Sequence, residues 1–185
     1  MQDTLTSKSK VLTPDTEPVI IISRVVSAPR ELVFRCYTDP VHLVHFWGPH
    51  GSRMPVCELD LRPGGVWRQV LQFAEGEPFR VTYVFTEIVP PERIVFRDAP
   101  HEVQFGDPLP PATIVSTIVL QPEGDGTRIT STMRMPDLEA RDAIARTGFT
   151  AVLLEAGERL DRYLVSLERQ PVELQPNSGP DNNAR

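Results

Sequence analysis

Residues 47–67, WGPHGSRMPVCELDLRPGGVW, set a tight turn, a strand, a chain reversal and a second strand between two tryptophans. Pro49 and Gly51 punctuate the first turn, and Pro63, Gly64 and Gly65 the second. These residue types supply a preset or a positive φ where a chain must reverse. The spacing predicts an antiparallel pair of strands over 54–61 and 66–73.

Upstream, the β-branched run of residues 19–26 reads as a first strand, and Ala28-Pro29 opens a helix whose apolar stripe is Leu32, Val33, Cys36 and Tyr37. Asp39 is placed to cap a second short helix, with Pro40 in its first turn and Phe46 at its end. Downstream, strands are expected over 79–88, 94–98, 113–121 and 127–135, with a proline-rich loop over 99–112 and a turn at Gly124-Asp125-Gly126. In the last strand Ile129, Ser131, Met133 and Met135 alternate with Arg128, Thr130, Thr132 and Arg134, so one face is buried and one wet. A single long helix is expected from Pro136-Asp137 to Glu168. Its broad stripe is Ile144, Gly148, Val152, Ala156, Leu160 and Leu164, joined by Phe149, Leu153, Tyr163 and Leu167. Gly148 and Gly157 each cost about 1 kcal/mol relative to alanine inside a helix, so their presence there points to close packing or to room for a ligand. Residues 1–17 and 169–185, polar and without apolar periodicity, read as flexible tails around one domain over 18–168.

Several of these segments together resemble the single-domain bacterial relatives of the heat-shock protein 90 ATPase activator, in the START-like (SRPBCC) superfamily. They are Ser27 to Phe34, Thr38-Asp39-Pro40, Phe46-Trp47-Gly48-Pro49, Glu87 to Ile94, and Ala140-Arg141-Asp142 with Gly148. The resemblance implies an α+β helix-grip fold, in which a curved antiparallel sheet wraps a long C-terminal helix and two short helices close one end. The chain departs from the family pattern at Phe46, where a tryptophan is expected, and at Thr150, Ala151 and Val152, where acidic residues and a glycine are expected. Both departures make the pocket side more apolar.

At 185 residues, 40% hydrophobic and 24% charged, the chain suits one soluble globular domain. A net charge of -6 disfavours nucleic acid and anionic membrane surfaces. No apolar run reaches the length of a membrane span and no signal peptide is evident, so the expected location is the cytoplasm. Cys36 and Cys57 are too few for a disulfide framework and read as reduced thiols. His42, His45 and His50 lie close together, yet their spacing matches no metal motif, and neither a metal nor a cofactor is expected. His101, in the proline-rich loop, reads as facing solvent. Sequence motifs for serine hydrolases, nucleotide triphosphatases, dinucleotide enzymes and zincins are absent from the chain.

A curved sheet cannot touch a straight helix along its whole length, and the gap that remains suits a small hydrophobic or aromatic molecule. The residues expected around it are Trp47, Trp67, Phe73, Phe85, Met133, Gly148, Phe149 and Val152, with Tyr83 adding a phenolic donor. If the pocket instead performs a non-redox reaction of the cyclase, dehydratase or hydrolase type, Glu58, Tyr83 and His45 are the candidate acid-base groups. Period two sets Glu58 with Met54, Val56 and Asp60, opposite the more apolar Cys57, Leu59 and Leu61, which favours a solvated Glu58 over a catalytic one. A third reading, implied by the resemblance alone, is a chaperone partner for the domain. A second copy of the chain is a further candidate partner.

Overall fold

The computed structural model describes residues 9–169, and its first element is a strand where a tail was expected. Strand β1 (Ser9–Leu12) pairs antiparallel with β2 (Val19–Val26), from Ser9 opposite Arg24 to Leu12 opposite Ile21. The segment between them is held as well. The buried guanidinium of Arg141 donates to the carbonyls of Pro14 and Glu17, and the Met135 amide donates to Pro18 at 2.9 Å. Part of the expected N-terminal tail is therefore an ordered edge. Residues 1–8 and 170–185 lie outside the described residues.

Helices α1 (Arg30–Thr38) and α2 (Pro40–Leu43) follow β2. Pro29 sits just before α1, and the Asp39 carboxylate accepts from the Val41 amide at 2.9 Å, which satisfies a donor that the first turn of α2 leaves open. Then come β3 (Arg53–Leu59), β4 (Val66–Gln72), β5 (Phe79–Val89), β6 (Arg93–Asp98), β7 (Val115–Glu123) and β8 (Gly126–Arg134). All eight strands form one antiparallel sheet in the order β1-β2-β8-β7-β6-β5-β4-β3. The α1–α2 segment thus carries the chain from one side of the sheet to its far edge. The reversal at Gly64-Gly65 between β3 and β4 is docked on β5: the Gly64 amide donates to the Phe85 carbonyl at 2.7 Å, and the Phe85 amide to Gly65 at 3.0 Å.

The expected single C-terminal helix is two helices, α3 (Leu138–Arg146) and α4 (Phe149–Glu168). Asp137 caps α3 by accepting from the Ala140 amide at 2.8 Å. The break falls at Gly148, whose φ of +81° is left-handed and ends helical hydrogen bonding before α4 begins. Alternation along β2 turns Ile20, Ile22, Arg24 and Val26 inward, and alternation along β8 does the same for Ile129 and Met133. Leu160 and Leu164, on the C-terminal half of α4, are buried against Val26, Ile118, Leu120 and Ile129. Each contributes about 1.5–3 kcal/mol by leaving water. On the N-terminal half of α4, Phe149, Leu153 and Leu154 pack against a separate cluster of Ile20, Ile22, Met133 and Met135.

Loop 99–112 crosses the outer face of the sheet, where Val103 packs with Val66 and Val84 in a small second core. His101 is tied to it rather than free in solvent, its Nδ1 2.8 Å from the Thr82 hydroxyl.

Candidate functional site

Between the sheet and the N-terminal half of α4 lies a cavity of about 270 Å³. Phe149, Val152, Leu153 and Ala156 on α4 form one wall, since positions three and four apart share a helix face. Met133, Ile118 and Phe96 from the sheet form the facing wall, and Trp47, Phe73 and Phe79 stand toward the opening, where Phe79 is 59% exposed. An aromatic cluster backs the site. Trp47 lies 4.9 Å from Trp67, which stacks on Phe85 and meets Tyr83 at 5.0 Å between ring centres.

Five of the eight expected ligand-binding residues line the cavity: Trp47, Phe73, Met133, Phe149 and Val152. Trp67 and Phe85 are buried in the core behind it. Gly148 sits at the helix break, and a Cβ added there would meet nothing within 4 Å. It is not among the residues that line the cavity and forms the left-handed turn between α3 and α4. Of the three acid-base candidates only Tyr83 reaches the cavity. Glu58 is exposed on the face of β3 opposite Cys57 and Leu59, which pack on the core. His45 is exposed too, stacked on Tyr163 with ring centres 4.6 Å apart. His42 and His50 are engaged separately, His42 with the Tyr163 hydroxyl at 2.8 Å and His50 with Glu158 at 3.1 Å. Among the described residues no three His, Cys, Asp or Glu side chains converge as a metal site.

Polar groups that period-two reading could have found complete the lining. Arg24 has the same parity as Ile20, Ile22 and Val26 on β2, and Gln69 the same parity as Trp67 and Leu71 on β4, so both point inward. Arg24 is 5% exposed and its Nη2 donates to Asp161 Oδ2 on α4 at 2.7 Å. Its Nε and Nη1, and Oε1 of Gln69, are buried without a hydrogen-bond partner among the described residues. Tyr37 and Tyr83 also line the cavity. Burial pushes both phenols well above their ordinary range, with Arg24 pulling Tyr37 back and Asp98 raising Tyr83 further. At neutral pH both are O–H donors. The described lining holds no carboxylate, imidazole or thiol.

Arg159, half-buried on α4, fastens the tryptophan turn to that helix. Its Nη1 donates to the Gly48 carbonyl at 3.0 Å, the Pro49 carbonyl at 2.9 Å and the Ser52 hydroxyl at 3.0 Å, and Nη2 donates to the His45 carbonyl at 3.1 Å. Five guanidinium donors in a rigid fork suit such a set of carbonyls. The link spans more than one hundred residues in sequence, and no local pattern announces it.

The chain is similar in structure to protein NE0264 from Nitrosomonas europaea, with a TM-score of 0.77 and 27% identity over 85% of this chain and 100% of that one. Protein CV1439 from Chromobacterium violaceum matches with a TM-score of 0.63 and 29% identity over 78% of this chain and 95% of that one. The AHSA1 protein from Silicibacter pomeroyi, at 21% identity over 81% of this chain and 99% of that one, shares the fold with a TM-score of 0.61. No curated protein matches the chain in sequence. No helix among the described residues is long and apolar enough to cross a membrane. Residues 27–165 match the family described as Activator of Hsp90 ATPase homolog 1-like protein, and with its helix-grip architecture the chain belongs to that family.

Proposed function

We propose that this protein binds a small, mainly apolar molecule in the cavity between its sheet and α4, and that it acts as a carrier or sensor of that molecule in the cytoplasm. The observation that carries the reading is the composition of the wall: mainly aromatic, thioether and aliphatic side chains, with Arg24, Gln69 and a few Ser and Thr hydroxyls among them, surround a space of about 270 Å³. An enzymatic reading gains less support, because the groups that would move protons at neutral pH are not in the wall. Glu58 and His45 lie outside it, and the two phenols that line it hold their protons far above neutrality.

Native mass spectrometry of the protein purified from its own host tests the reading. The expected spectrum shows a small-molecule adduct that denaturation releases, and Ala156→Trp, which fills the cavity from α4, loses the adduct while remaining folded. Retention of the adduct by folded Ala156→Trp would move the ligand elsewhere. Loss of the adduct on Val56→Asp, at the exposed outer position of β3, would move the ligand to the outer face of the sheet.

A further inference from the structure

We propose that the occupant of the cavity carries a neutral carbonyl oxygen, received by the guanidinium of Arg24 beside Gly157; this rests on the reading of the cavity as a ligand site. Arg24 lines the cavity, and only its Nη2 is used, by Asp161 at 2.7 Å. Nε and Nη1 hold three N–H bonds between them, have no hydrogen-bond partner among the described residues and are shielded from water. Leaving donors of a buried charged group unmade is costly, so an acceptor arriving from the cavity gains what solvent cannot supply.

Gly157 is the second observation. A Cβ built there would stand 1.8 Å from Arg24 Nη1 and 2.9 Å from its Cζ, so α4 omits a side chain in mid-helix where the guanidinium lies. The recess lets the guanidinium lie against α4 in the cavity wall while Nη2 reaches Asp161 one turn further on.

Charge balance selects the acceptor. Asp161 already neutralises Arg24, and among the described residues no other cationic side chain lines the cavity. A ligand carboxylate would add an uncompensated anion to an apolar space, whereas a ketone, ester, amide or quinone oxygen accepts the same N–H groups without net charge.

Calorimetric titration of the full chain with three probes of one ring system provides the test: 2-acetylnaphthalene, 2-ethylnaphthalene and 2-naphthoate. The ketone is expected to bind about 10-fold more tightly than the ethyl compound, in line with a hydrogen bond from a charged donor, and more tightly than the carboxylate. In Arg24→Met/Asp161→Asn, which removes both charges together, the ratio of ketone to ethyl affinity should fall to about one. Circular dichroism melts establish that the variant is folded, and the wild-type ratio stands independently of it. Equal binding of ketone and ethyl compound by the wild type would overturn the proposal and leave the cavity reading intact. Tightest binding by 2-naphthoate would overturn the neutral head group, and a ketone preference that persists in the folded double variant would overturn the role of Arg24. Failure of all three probes to bind would remove the cavity reading itself.

Discussion

Arg24 and Glu58 show how far one residue's parity on a strand decides its role. Both are charged and both sit in β-strands, yet Arg24 falls on the inward set and Glu58 on the outward set of its own strand. The pattern around Glu58 favoured a solvated position, and that is where it lies. The same rule applied to β2 would have found Arg24, but the eye reads Val19 to Val26 as an apolar run and passes over the one charge within it. Glu58→Gln should leave both urea stability and binding of 2-ethylnaphthalene within about 0.5 kcal/mol of wild type, as befits an exposed position. A loss of several-fold in affinity would return Glu58 to the site. Cys36 offers a second test at this scale. It is fully buried, and burial pushes its thiol up to about 11, so it should resist alkylation at pH 8 in the folded protein and react once urea exposes it. Rapid labelling of native Cys36 at pH 8 would contradict the packing of α1.

At the scale of elements, the C-terminal helices hold the main difference between expectation and structure. A stripe repeating every four residues from Ile144 to Leu164 is continuous in sequence, and nothing in its periodicity marks the left-handed residue at which α3 gives way to α4. Two glycines on that stripe drew one explanation and need two. Gly148→Ala should destabilise by about 1 kcal/mol through backbone strain alone, since its Cβ meets nothing, and should leave ligand affinity unchanged. Gly157→Ala behaves differently. Helix propensity favours the alanine by about 1 kcal/mol, but the displaced Arg24 guanidinium opposes it with an overpacking cost of about 1–3 kcal/mol, so a net loss of stability is expected in urea melts. A stabilised Gly157→Ala would show that the recess is not needed. The N-terminal edge left little trace in the sequence because β1 is a four-residue edge strand with Lys10, Val11 and Leu12 all exposed, held by backbone pairing to β2 while Arg141 holds the segment that follows. Arg141→Ala should therefore free this segment and speed its cleavage in limited proteolysis, while the rest of the domain persists.

Across the whole molecule, the sheet order and the placement of the aromatic residues follow from local signals, namely alternation, turns and caps, and these were legible. The cavity is different, because its walls come from strands at both sides of the sheet and from α4, joined by contacts such as Arg159 to the tryptophan turn. Buried titratable groups also give the molecule a shared pH dependence. Cys36 and Cys57 are each raised to about 11, mainly by burial, and Tyr37 and Tyr83 are raised as well. The unfolded chain loses these protons first, so stability is full below about pH 9 and falls as pH rises through about 11, which urea midpoints at pH 7.5 and pH 10.5 should show. The proposed function stands or falls on whether the space beneath α4 takes a ligand. Its most direct test is a titration of isotopically labelled protein with 2-ethylnaphthalene, followed by two-dimensional NMR. Saturable shifts are expected, concentrated at Trp47, Tyr83, Met133, Phe149 and Val152, with the outer face of β3 and β4 unmoved; shifts confined to that outer face, or none at any residue of the cavity, would rule out a ligand site beneath α4.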